Sequence, residues 1–193
     1  MRSARFFLIV PRLWVLLALL TLVPCAQAVT EHWQADFIAV TDTAPPPADA
    51  AGWHAVSLPF YLQSEHRRSD GGWFRVRVNA TEMPQSPQAM YLWWLNLNAV
   101  FYFNGERVGG SGRMTPPITR NWNRPFLVEL PRALWRQGEN VLLIRLASEP
   151  GWGVLSPLEI GATAVLMPEF ERRTFLQVEL TRSLTIVTVL RRC

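Results

Sequence analysis

The stretch FYFNGERVGGSGR, residues 101–113, does most to limit what this chain can fold into. Asn104-Gly105 lies between apolar segments, and both residues tolerate the positive φ that a two-residue hairpin turn demands. One strand is therefore predicted to end at Phe103, and its partner to start near Glu106. The small residues Gly109, Gly110, Ser111 and Gly112 predict the next corner. Two chemical readings of the same glycines fail on detail. No Gly-Lys-Ser/Thr follows, and no helical pattern opens after Gly112 to turn an N-terminus toward a phosphate. Arg113 stands where the nucleophile elbow of a serine hydrolase closes with glycine.

The rest of the chain repeats the β signal. WFRVRV (73–78) sets Phe74, Val76 and Val78 on one face, and Arg75 and Arg77 on the other. GWHAVSLPF (52–60), AMYLWWLNLN (89–98), AVFYF (99–103), FLVEL (126–130), VLLIRLA (141–147) and LEIGATAVL (158–166) are further strand candidates. Short strands divided by Gly, Pro and Asn clusters predict an all-β, two-sheet antiparallel jelly-roll sandwich. Its core is expected to hold Phe74, Val76, Val78, Leu142 and Ile144. Trp93 and Trp94 adjoin in a strand and must face opposite ways, so one is expected in the core and the other exposed, at a sheet contact or at a partner surface. PRALWRQG (131–138) predicts one short helical turn, with Pro131 suited to its start and Gly138 to its end.

The two ends read differently from the middle. Arg2 and Arg5, the apolar run LWVLLALLTLV (13–23) and the small-residue site AQA (26–28) form a secretory signal peptide, cleaved after Ala28. Pro11 and Arg12 hold the apolar stretch below the ~20 residues of a spanning anchor. Residues 29–51 then read as an N-terminal strand followed by a Pro/Ala-rich loop or linker, TDTAPPPADAA (41–51). The sandwich is assigned to 52–167. At the other end, 168–193 has no turn residue after Pro168 and starts charged before turning apolar. It predicts one helix, continuous over 169–190, that leaves the sandwich. SLTIVTVL (183–190) is too short to span a membrane alone. The segment suits the truncated start of a membrane helix.

Charge excludes one class of partner. The formal net charge is +4, but the three arginines of 1–28 leave with the signal, and 16 arginines then face 15 acids. No basic stripe remains for nucleic acid. Cys193 is the one cysteine after cleavage, so no disulfide framework supports the fold, and the 49% hydrophobic content must supply the core.

Catalysis and metal binding find little support. A glycosidase sets two carboxylates across a sugar, yet no aspartate follows Asp70, and the later glutamates sit in turns or strand patterns. His32, His54 and His66 are isolated, without ligand spacing. No catalytic residue, metal or cofactor is assigned. Ligand binding has better candidates, because sugars are held by aromatic faces with planar hydrogen-bonding groups beside them. Arg120, Asn121, Trp122, Asn123 and Arg124 fall in one loop and Trp152 in another, both placed for a jelly-roll rim. Arg113 is grouped with them. The structural alternative is that both indoles plug the sandwich ends and Arg124 ties down a loop.

FYFNGERVGGSGR, WNRPFLVELPRALWRQGENVLLIRLA (122–147) and GWGVLSPLEIG (151–161) together resemble the galactose-binding-like jelly roll at the N-terminus of bacterial membrane sensor proteins. Those sensors are histidine kinases and diguanylate cyclases with a seven-transmembrane receptor region. The strand, Asn-Gly, strand and G.N.l.iR order is also similar to the sugar-binding domain of glycoside hydrolase family 2. The resemblance runs from about residue 52 to 190. It implies a periplasmic input domain at the inner membrane that binds a saccharide, another small ligand or a partner, and whose C-terminal segment enters the membrane. It implies no enzyme activity for this chain, which has neither kinase nor cyclase core. The expectation is thus a sensor domain truncated before its membrane and output regions. A free-standing carbohydrate-binding module and a non-binding spacer are the alternatives.

Overall fold

The computed structural model describes residues 29–39, 42–62, 71–115, 117–122, 124–149 and 152–181. The signal segment, the apolar tail from residue 182 onward and Asn123 lie outside the described residues. Among the described residues, twelve strands and one C-terminal helix build the fold. The strands are β1 (Thr30–His32), β2 (Gln34–Ile38), β3 (His54–Ser57), β4 (Phe60–Tyr61), β5 (Gly71–Ala80) and β6 (Gln88–Leu92). They continue with β7 (Asn98–Phe103), β8 (Glu106–Gly110), β9 (Phe126–Leu130), β10 (Gly138–Ala147), β11 (Val154–Leu155) and β12 (Leu158–Ala162).

One sheet runs β3-β2-β5-β10-β7-β8, the other β1-β12-β6-β9, and β4-β11 forms a short third piece. All described pairings are antiparallel. The two larger sheets sandwich one core, and the expected all-β jelly roll is what forms. β10 is its centre: Ile144 lies opposite Phe74 of β5 on one side and Phe101 of β7 on the other. Phe74, Val76, Val78, Leu142 and Ile144 are all buried, as their alternation predicts. Met90, Leu92, Leu130, Leu158 and Ile160 answer them from the facing sheet. Each such side chain contributes about 1.5–3 kcal/mol on leaving water, which is what stabilises the sandwich.

The Asn-Gly hairpin forms as expected, with φ of +49° at Asn104 and +92° at Gly105. Asn104 also does more than turn the chain. Its Oδ1 accepts from the Val141 N–H at 2.8 Å, and its Nδ2 donates to Leu134 O and Asn140 Oδ1, both at 2.7 Å. Asn140 in turn closes the Arg136–Gly138 turn on both its donor and acceptor sides. The short helical turn before it is a 3-10 turn, Arg132–Leu134. Trp135 follows and packs on Phe103 at 4.9 Å between ring centres.

Two local expectations are corrected. Neither Trp93 nor Trp94 is core or free surface. Both are half-buried, with indole N–H groups donating to Pro157 O and Asn96 Oδ1, because β6 ends at Leu92 and strict alternation ends with it. Arg75, on the face opposite Phe74 and Val76, is only 9% exposed, more buried than a charged residue on an outer sheet face would be. The Pro/Ala-rich segment folds back over it: Arg75 donates to Ala48 O and, twice, to Asp36 Oδ2, and lies 4.3 Å from the centre of the Trp53 ring. Trp73 beneath the same segment is fully buried, its indole donating to Asp42 O.

The second correction concerns the tail. The last strand stops at Ala162, where its partner β6 begins with Gln88, and helix α1 (Thr163–Thr174) starts at once. Thr163 N–H donates to Pro87 O, a backbone group doing the work of a cap. Pro168, expected as the break before the helix, lies inside it. The helix packs on the sandwich from its first turn: Leu166 and Phe170, one turn apart, cover Ala89, Tyr91 and Leu127 on the outer face of the four-stranded sheet. Arg173 sits 4.8 Å from the centre of the Trp93 ring. Glu169 binds Arg172 and Arg173, whose guanidinium hydrogen bonds lower its carboxyl to about 2. Burial under the helix raises the Tyr91 phenol to about 12. No helix among the described residues is long and apolar enough to cross a membrane.

Candidate functional site

The glycine corner resolves into a loop wound around one buried side chain. Asn98, at the start of β7, donates to Arg113 O at 3.0 Å and Thr119 O at 2.6 Å. Its Oδ1 accepts from Asn121 Nδ2 at 2.6 Å, and Asn121 donates as well to Ser111 O. Ser111 Oγ accepts from the Ala99 N–H at 2.8 Å. Gly112 passes so close that a Cβ there would sit 2.6 Å from Asn98 Oδ1, at a φ of +144°. These contacts need asparagine, serine and glycine for packing, and they answer the opening stretch as a structural corner. They also settle Asn121: its side chain is buried in this network, with its amide engaged inward.

The same network presents the rest of the loop outward. Asn121 O accepts from the Leu97 N–H, while Asn96 Nδ2 donates to Trp152 O, so both rim loops hang from one stretch, 96–98. Trp122 and Trp152 meet there edge to face, 6.0 Å between ring centres at 75°. They are 47% and 52% exposed. The sequence offered them as rim residues or as end plugs, and half of each indole is open to a ligand. Arg120 reaches across to Glu149 at 3.3 Å, an exposed ion pair that ties the two loops together. Arg113 lies elsewhere on its loop, with its backbone bound to Asn98 and Thr119, and is not a wall of the groove described next.

A groove of about 280 Å³ opens beside the indole pair. Arg120, Asn121, Trp122 and Arg124 form one wall, and Gln177, Val178 and Thr181 form the other, while Trp152 stands outside it. The second wall comes from the C-terminal helix, at a π-helical turn spanning Phe175–Glu179. A π turn carries an extra residue per turn and recurs at functional positions. Gln177 Oε1 is shielded from solvent and has no hydrogen-bond partner among the described residues. Reasoning from sequence missed these helix residues. Nothing in FLQVELT (175–181) marks it as a site, and only the packing of α1 on the sheet brings it to the rim.

Two further features lie away from this groove. The β1–β12 register sets Glu31 opposite Glu159, and burial together with Glu31 and Glu169 raises the Glu159 carboxyl. Trp33 and Arg173 line the shallow space beside them. A wider hollow of about 830 Å³ lies under the proline segment, walled by Pro45, Pro46, Pro47 and Trp73. Among the described residues, no group of three His, Cys, Asp or Glu side chains is placed to hold a metal ion.

The fold is an all-β, antiparallel sandwich with an aromatic rim beside its C-terminal helix. No protein-family model matches the chain, and no curated protein matches it. Solved structures do share the sandwich. The β-glucuronidase of Ruminococcus gnavus superposes with a TM-score of 0.54 at 9% identity, over 70% of this chain and 29% of that one. The same enzyme in complex with D-glucuronic acid gives 0.53 at 9% identity, over 70% and 29%. A β-glucuronidase of an uncultured Clostridium gives 0.52 at 12% identity, over 71% and 29%. This chain thus spans about three tenths of those enzymes. The likeness is one of fold, and it accords with the resemblance to the sugar-binding domain of glycoside hydrolase family 2.

Proposed function

We propose that this chain is the extracytoplasmic input domain of a bacterial membrane signalling receptor, and that it binds a saccharide or similar small ligand at the Trp122–Trp152 rim. One observation carries the reading: Trp122, in edge-to-face contact with Trp152, shares a groove with the C-terminal helix. Exposed indole faces suit the C–H surface of a sugar, and hydrogen-bonding side chains beside them supply orientation. A ligand in that groove touches both the sandwich and the helix, which is what an input domain needs in order to pass a signal onward. Phe175, Leu176 and Leu180 on the outer side of the same helix are exposed. A free-standing carbohydrate-binding module has no use for such a surface, which favours the receptor reading over that alternative.

Two measurements test it. Tryptophan fluorescence of the exported chain should change on adding saccharide, and Trp122→Ala and Trp152→Ala should each remove most of the change while the fold persists by circular dichroism. In cell fractionation, the full chain should follow the membrane and a chain shortened after Thr181 should not. A full chain recovered free and monomeric would defeat the receptor reading. Loss of neither signal in the tryptophan variants would defeat the rim.

A further inference from the structure

We infer that the rim groove is built for an acidic saccharide, a uronate, with its carboxylate on Arg124 and a hydroxyl on Gln177; this rests on the rim being the saccharide site. Two cations face the groove, Arg120 and Arg124. Arg120 is already paired with Glu149, at 3.3 Å. Arg124 is exposed and has no ion pair among the described residues, so the groove carries an uncompensated positive charge on the wall beside Trp122. A guanidinium is a planar fork that matches a carboxylate with two parallel hydrogen bonds, and such charge-assisted pairs are the stronger ones.

The opposite wall asks for something different. The Gln177 side chain lines it, and its amide, whose Oε1 has no partner among the described residues, can bond a sugar hydroxyl with its exposed Nε2 end. Val178 beside it offers an apolar contact. Trp122 supplies a face for the ring. A carboxylate at one end, hydroxyls at the other and an apolar ring face between them describe a uronic acid. The groove, at about 280 Å³, sits at the small end of ligand pockets (~300–1,000 Å³), which fits a single sugar unit better than a long chain. Because Gln177 and Val178 belong to the helix, the bound uronate bridges rim and helix.

The test titrates the full exported chain with D-glucuronate and D-galacturonate against their neutral counterparts glucose and galactose, by calorimetry and tryptophan fluorescence. At least one uronate should bind about tenfold or more tightly than its neutral counterpart, as a charge-assisted pair predicts. Arg124→Gln should remove that preference, bringing uronate and neutral sugar to the same affinity, while Arg124→Lys should keep part of it. Gln177→Ala should weaken uronate and neutral sugar alike, by about fivefold for one hydrogen bond. Arg124 is exposed, so its variants are expected to fold, and circular dichroism checks this. Equal affinity for charged and neutral sugars overturns the acidic specificity and leaves the saccharide rim standing, as does a preference that survives Arg124→Gln. An unchanged Gln177→Ala overturns the bridge to the helix. No response to any of the four sugars overturns the rim and the uronate together.

Discussion

Replacing Asn140 by alanine should be among the most damaging single changes to this fold, although the residue touches no candidate ligand site. Asn140 is fully buried at the start of β10. Its Nδ2 donates to Arg136 O at 2.8 Å and Gly138 O at 3.1 Å, and its Oδ1 accepts from the Arg136 N–H at 2.8 Å and Asn104 Nδ2 at 2.7 Å. Alanine removes all of these and strands the partners. Each net hydrogen bond is worth about 1 kcal/mol, and each group left buried and unpaired costs about 1–3 kcal/mol. Arg136 lies near the surface and can recover water, so the expected loss is about 3–5 kcal/mol. For a domain of this size that lowers the melting temperature by about 6–20 °C. Asn140→Asp keeps the acceptor but turns a carboxylate toward two carbonyl oxygens, so it should fare little better. Urea denaturation and thermal melts of both variants measure the effect, with the exposed Asn79→Ala as a control expected within about 0.5 kcal/mol. A double-mutant cycle with Asn104→Ala should show coupling, because the two side chains share a bond. A loss below about 1 kcal/mol for Asn140→Ala, or strict additivity with Asn104→Ala, would refute the account of the hairpin as one buried network.

Three other outcomes follow from the same contacts. Gly112→Ala combines a φ of +144° with a clash at 2.6 Å against Asn98 Oδ1, and should destabilise by about 1–3 kcal/mol. Gly105→Ala has positive φ but nothing within 4 Å, so equilibrium unfolding should rank it as the milder of the two. Glu169, held at about 2 by Arg172 and Arg173, stabilises the helix above its ordinary pKa and loses that contribution as pH falls from near 4.5 toward 2. Hydrogen exchange across 163–174 should therefore quicken in that window in the native chain, and Glu169→Gln should be loosened already at pH 6 with little further change. Glu159 runs the opposite way: its carboxyl is raised, so its charge destabilises the fold at neutral pH, and Glu159→Gln should melt higher than the native chain there and lose that advantage on acidification.

Much of the sandwich was legible because its signals are local. Alternation in WFRVRV put Phe74, Val76 and Val78 inward, and all three are buried. Asn104-Gly105 named its own turn, since few residue pairs accept two positive φ values in succession. The rim tryptophans were legible as candidates, because two large aromatics in neighbouring loops are either plugs or platforms. Which of the two they are was not legible, since exposure depends on what the loops pack against. Asn121 shows the same limit from the other side. In the sequence it is one more planar amide beside Trp122, and in the fold it is the strut that holds the loop to Asn98.

The helix shows why the remainder needed three dimensions. From the residues alone, LEIGATAVL continues as strand, because Thr163 and Val165 favour β and nothing in the sequence marks where the partner strand runs out. The strand ends at Ala162 because β6 has no residue left to pair with it, and the chain turns helical to bury Leu166 and Phe170 against Tyr91. That docking is a long-range contact, with no trace in the local pattern. It delivers Gln177, Val178 and Thr181 to the groove across from Arg124. Strand identity, hairpin position and core face are written in periodicity and turn chemistry, which act between near neighbours. The covering of Arg75, the exposure of Trp122 and Trp152 and the second wall of the groove come from segments far apart in the chain, and only their packing brings them together.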